Sequence, residues 1–167
     1  MKKLMMASIG LMMAVSANAQ YLNDSETPFE KGKFYVGASA SSASLSYSKS
    51  SDWSLGVSGK VGYFFLDNWM GLGKLEYQAY NNFDLTQTKL GVGVRYYFDR
   101  IGLYVGGLAQ YVHATENFDD FQPEVHAGYC FFLGRHVTVE PEAYYAHSFK
   151  DSDYSGFGIR IGFGIYF

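Results

Sequence analysis

The last twelve residues, Gly156 to Phe167, alternate without a break. Phe157, Ile159, Ile161, Phe163, Ile165 and Phe167 form one series, and Gly156, Gly158, Arg160, Gly162, Gly164 and Tyr166 form the other. Period-two alternation is the mark of a strand, because successive side chains point to opposite faces. One face is large and apolar at every position. The other is small, except for one guanidinium and one phenol. The segment is therefore read as a strand, one face of which meets a wholly apolar environment.

The same pattern recurs upstream. Strands are predicted at about Lys33–Tyr47, Ser54–Leu66, Trp69–Tyr80, Gln87–Phe98, Ile101–His113, Phe121–Leu133 and Val137–Phe149. In the fourth of these, Leu90, Val92, Val94, Tyr96 and Phe98 oppose Lys89, Gly91, Gly93, Arg95 and Tyr97. Two-residue turns at Asp67-Asn68, Asp99-Arg100 and Gly134-Arg135 use residues suited to tight reversals. They alternate with longer polar connections at Tyr47–Trp53, Asn81–Thr86, Ala114–Asp120 and Lys150–Ser155. Pro141 falls inside the seventh strand and lacks a ladder donor, so a bulge or local break is expected there. The count is eight, and the expected fold is all-β: an eight-stranded antiparallel up-and-down barrel. Aromatics make up 19 % of the chain, with 19 glycines against 3 prolines, a composition of strands and turns rather than long helices.

The front end reads as a cleavable leader over residues 1–19. Lys2 and Lys3 precede a short apolar run, and Ala17-Asn18-Ala19 fits a small-x-small cleavage site. Residues 20–32 are polar and aperiodic and are read as a short periplasmic lead, in preference to a plug in the barrel mouth. The barrel itself spans 33–167. Cys130 is the single cysteine, so no disulfide framework is expected and the thiol is read as a small buried residue. A formal charge of −3 offers no basic footprint for nucleic acid.

Alternation alone does not separate a membrane barrel from a soluble, lipocalin-like one whose apolar face points inward. The polar face decides. Here it is mainly glycine and serine with spaced charges, which suits a narrow interior better than a solvated exterior. The expected lumen network is Lys60, Lys74, Lys89, Arg95 and Arg160 against Glu76, Glu124, Glu140 and Glu142, nearly balanced in sign so that pairs offset each other's burial. Phe64, Phe65, Trp69, Tyr96, Tyr97, Phe98, Phe131, Phe132, Tyr166 and Phe167 gather at one set of strand ends. Tyr47, Trp53, Tyr77, Tyr80, Tyr111, Phe121, Tyr145 and Phe149 gather at the other. They are read as two interfacial rims.

The stretches Lys60-Val61-Gly62-Tyr63-Phe64-Phe65-Leu66-Asp67-Asn68, Gly91 to Phe98 and Ile161 to Phe167 resemble the small eight-stranded outer-membrane β-barrels of Bacteroidetes type, akin to OmpA- and OmpX-like barrels. The resemblance covers about Lys33 to Phe167. It implies residence in the outer membrane and contact with its lipids and lipopolysaccharide. It also implies that Phe163, Ile165 and Phe167 form the terminal signal read by the insertion machinery. The expected state is a monomer, with no wall-anchoring domain after the barrel.

Chemistry is sparse. A lipid A deacylase of this general shape needs serine, histidine and an acid near the outer leaflet. His147-Ser148 beside Asp151 and Asp153 is the local candidate, but neighbours on a strand point to opposite faces. An acyl-transferring barrel needs an apolar interior slot, which the charged face argues against. His113, His126 and His136 are scattered and make weak metal ligands, and His126 is placed with Glu124 in the lumen. No cofactor, metal or catalytic site is expected. The reading is a non-enzymatic barrel with a structural or surface-contact role; a narrow pore, a lipid A-modifying enzyme and a soluble periplasmic binder are the alternatives.

Overall fold

The computed structural model describes residues 28–42, 54–80, 86–98, 101–114, 118–150 and 155–167. Strands run β1 Phe34–Ser42, β2 Ser54–Leu66, β3 Trp69–Tyr80, β4 Thr86–Tyr97, β5 Leu103–Ala114, β6 Phe118–Tyr129, β7 Phe131–Phe132, β8 Val137–Ala146 and β9 Gly156–Tyr166. All pairings are antiparallel between neighbours, β1 closes on β9, and β6 closes on β8. β6 and β7 form one stave, so the barrel has eight staves. Stepping across the ladders from Ser42 through Ile159, Ala143, Ala127, Val105, Tyr96 and Trp69 to Leu66 ends just past Tyr63, the partner of Phe34 at the start of β1. The return point lies about ten residues upstream, the stagger of a tilted, narrow barrel whose interior side chains can fill.

Alternation sorts the faces as expected. Outward stand Val57, Val61, Leu75, Leu90, Val92, Val125, Ile161 and Phe163, each at least half exposed. An apolar exterior of this extent is stable only against hydrocarbon. Inward stand many of the glycines, the charged side chains and the phenols of Tyr35, Tyr97, Tyr104 and Tyr166. Several inner glycines are seats for a large neighbour: a Cβ at Gly158 would meet the ring of Tyr144, at Gly128 the hydroxyl of Tyr104, and at Gly62 the thioether of Met70.

Gly93 is the tightest case, because a Cβ there meets the Gly107 carbonyl oxygen and lies 2.8 Å from Leu108 Cα, both backbone atoms of β5. Gly93→Ala is expected to cost ~1–3 kcal/mol as an overpacked contact, read as a lower urea midpoint of the folded barrel. Gly59→Ala, with nothing within 4 Å, should leave the midpoint unchanged.

The Asp67-Asn68 turn carries a left-handed residue, Asn68 at φ 66°. A register shift between Phe64 and Leu66 lets β2 turn tightly into β3. Pro141 breaks the ladder without shifting it. Gly128 pairs with Glu142 and Phe131 with Val139 in one continuous register, while Cys130 keeps its bond on the other side, to the Gly102 carbonyl at 2.8 Å. So the expected local break is present as an interruption between Gly128↔Glu142 and Phe131↔Val139, and there is no bulge.

Three sequence expectations need correction. The stretch Ala114–Asp120 is not wholly a loop: β6 begins at Phe118, and Asp120 turns inward and is buried. The aromatic rim at the short-turn end divides in two. Phe65, Trp69 and Phe167 face outward, but Phe64, Tyr97 and Tyr166 are fully buried inside. Their parity along the strands places them on the lumen face, and proximity to the end does not override it. The segment ahead of β1 is not merely a lead, since Phe29 is 4 % exposed and sits inside the mouth. The leader, the Asp99-Arg100 turn, Tyr47, Trp53, and the central parts of the longer connections lie outside the described residues.

Candidate functional site

The lumen is the candidate site. Strand periodicity aims its side chains at a common axis, and the stagger sets which of them meet. Of the nine charges named from the sequence, eight join in one continuous network. Lys74 Nζ lies 2.6 Å from Glu76 and 3.1 Å from Glu124. Arg160 links Glu124 to Glu142 and approaches Glu76 at 3.9 Å. Glu142 also takes Lys60 at 3.1 Å and Arg95 at 2.8 Å, and Arg95 reaches Glu140 at 3.3 Å. Four cations (Lys60, Lys74, Arg95, Arg160) thus meet four carboxylates (Glu76, Glu124, Glu140, Glu142), and each of the eight residues is nearly fully buried. Such burial is tolerable because every member has a charged partner, and Lys74, Arg95, Glu124, Glu140 and Glu142 take further hydrogen bonds. Lys89, the ninth, is half-buried across the ladder from Glu76 at the loop end.

Layers above and below continue the network. Towards the short turns, Tyr35 and Tyr166 each donate to Glu140 at 2.9 Å, Thr138 does so at 2.9 Å, and Tyr104 donates to Glu142 at 2.9 Å. The Arg95 guanidinium lies 4.0 Å from the Tyr104 ring centroid, and the Arg160 guanidinium lies 4.3 Å from that of Tyr144. These cation–π contacts offset part of the lost hydration. Below them, Phe29, Phe64, Met70, Cys130 and Tyr166 close the mouth as an apolar cluster. Towards the loops, Gln110 donates to Glu124 at 2.7 Å, and Ser39 and Ser58 pair at 2.6 Å. Asp120 accepts from Ser148 at 2.6 Å and Gln122 at 2.9 Å.

Sequence reasoning set Tyr97, Tyr104, Tyr166, Gln110 and Thr138 on the polar face of their strands but did not name them, or Tyr35 and Asp120, as members of the network. A signal for them was available: each has the parity of a named lumen charge on its own strand or of a lumen glycine. His126 is buried, accepts from Arg95 at 3.4 Å and stands 3.6 Å from Glu124. Cys130 faces inward, 3.3 Å from the Tyr166 hydroxyl.

The serine–histidine candidate separates. Ser148 points inward to Asp120. His147 points outward, stacked at 6.5 Å against Tyr145 and edge-on at 5.2 Å to Phe149. The hydroxyl near His147 is that of Ser155, at 3.3 Å, and Asp151 and Asp153 lie outside the described residues. Among the described residues no group of three or more His, Cys, Asp or Glu is arranged to hold a metal ion. Chemically, the lumen carboxylates and cations are engaged with one another, so the arrangement supplies cohesion.

A closed eight-stave barrel with an apolar exterior, a charged and filled interior and short turns at one end defines a protein that crosses a bilayer with strands. Residues 7–167 match the outer membrane protein β-barrel domain, and the chain belongs to that family and resides in the outer membrane. Solved structures share the fold. Neisserial surface protein A is 16 % identical, with 82 % of this chain and 100 % of that chain covered and a TM-score of 0.67. The N-terminal β-barrel domain of Pseudomonas aeruginosa OprF is 14 % identical, covering 82 % and 98 %, at a TM-score of 0.59. Ail of Yersinia pestis is 13 % identical, covering 82 % and 100 %, at a TM-score of 0.56. No curated protein matches the sequence.

Proposed function

We propose that this protein is a closed outer-membrane barrel with a structural or surface-contact role, carrying neither a catalytic centre nor a solute path. The observation that supports this reading is the neutral ion-pair network across the lumen. A permeating ion would have to break several buried pairs at once, and each break leaves an uncompensated charge. In this reading the lipid-facing belt contacts bilayer lipids and lipopolysaccharide, Phe163, Ile165 and Phe167 present the terminal strand to the insertion machinery, and the barrel works as a monomer.

Planar-bilayer recording of the refolded barrel tests the pore question. The expected trace has no stepwise conductance above protein-free bilayers. Reproducible steps whose ion selectivity changes in Arg160→Gln would replace this reading with the narrow pore. Mass spectrometry of lipid A from cells with and without the protein tests the enzyme question, and identical acylation patterns are expected. Loss or gain of an acyl chain would move attention to His147 and Ser155 at the loop end.

A further inference from the structure

Residues 28–33, directly ahead of β1, fold back over the mouth of the barrel. Phe29 stacks on Tyr97 with centroids 4.3 Å apart, and lies 5.7 Å from Tyr166, 5.9 Å from Phe132 and 6.1 Å from Phe64. Those four rings come from β4, β9, β7 and β2, so the pocket is assembled from all around the mouth. Backbone bonds hold the segment in place. The Asn68 N–H donates to the Phe29 carbonyl at 2.8 Å, and the Gly32 N–H to the Phe64 carbonyl at 2.8 Å. The Lys31 N–H donates to Asp67 Oδ1 at 2.8 Å. Gly32, at φ +92°, supplies the reversal that brings Phe29 back over the mouth.

We propose that residues 28–33 dock after the barrel has closed and keep the lumen, including the Cys130 thiol, sealed from the periplasm. The order follows from the pocket. Tyr166 is in place only when β9 has paired with β1, so Phe29 has no complete seat in an open sheet. The short tether from Phe29 to Phe34 keeps the local concentration of the ring high once the seat exists. The stopper is distinct from the barrier to ions, which lies in the charged layers above it, so its removal is expected to expose the thiol without creating conductance.

Cys130, the single cysteine and 2 % exposed beneath the stopper, is a built-in reporter. The test is labelling of the folded barrel with a membrane-impermeant methanethiosulfonate, with folding checked by the mobility difference between boiled and unboiled samples. Wild-type Cys130 is expected to be protected when folded and labelled when unfolded. Phe29→Ala should label at least about tenfold faster while still folded, because access no longer waits for the segment to undock. Asp67→Ala, which removes only one tether to the strap, should fall between the two and serves if Phe29→Ala does not fold. Labelling of both folded variants at the wild-type rate, or of folded wild type at the unfolded rate, overturns the proposal. Conductance appearing in Phe29→Ala while wild type is silent would instead place the ion barrier at the stopper.

Discussion

Glu142→Leu is expected to destabilise the barrel by ~3–5 kcal/mol, the cost of stranding a buried charge by removing its partner. Glu142 is the junction of the network, taking Lys60, Arg95, Arg160 and the Tyr104 hydroxyl. Its partners do not suffer equally. Arg95 keeps Glu140 and Arg160 keeps Glu124. Lys60 has Glu142 as its one ion-pair partner among the described residues, and it is 4 % exposed. Most of the loss is therefore assigned to Lys60. The companion variant Lys60→Met/Glu142→Gln, which removes both halves of that pair, should recover much of it, since replacing a buried pair by groups of similar size is often near neutral. Urea titration of the refolded barrel, followed by intrinsic fluorescence, reads both. If the single variant unfolds at the wild-type midpoint, the lumen is hydrated enough to screen Lys60, and the filled-core reading falls with it.

The second large effect lies on the opposite face. Val92 is 66 % exposed at the middle of β4 and points outward. In hydrocarbon, Val92→Arg should cost ~2–4 kcal/mol, whereas the same change near an interface should cost ~0–1 kcal/mol. Thr88, exposed on the same strand towards the loop end, is the matched control: Thr88→Arg should be nearly silent. Both variants are compared by urea unfolding from lipid vesicles. A Val92→Arg barrel as stable as Thr88→Arg would mean that the belt does not lie at membrane depth, contrary to the assignment of faces.

Strand number and the identity of each face were legible in the residue pattern, and eight of the nine charges named from it meet in the lumen. Alternation is a local property of the extended backbone, so Arg95 and Arg160 declare their face from their neighbours alone. The inward tyrosines obey the same rule. Tyr97 follows Arg95 by two residues and Tyr166 shares the parity of Arg160, yet position near a strand end suggested an interfacial rim. Two rules competed, and the backbone rule prevailed because a strand cannot rotate one residue without its neighbours. Asp120 was misplaced for a related reason, as an acidic stretch resembles a solvated loop until a buried serine and glutamine are found facing it.

What only the tertiary structure decided is who meets whom. Lys60 on β2 pairs with Glu142 on β8, 82 residues away, because barrel closure and stagger bring those staves to the same level across the lumen. Phe29 had no periodic signal at all; its place depends on four rings contributed by four staves. The effect of Pro141 likewise depended on whether the neighbouring ladder could hold the register without its hydrogen bond, and it does. A chain's pattern of alternation determines which way each side chain points. Pairing across a barrel is set by shear, which is a property of the closed sheet and of no single strand.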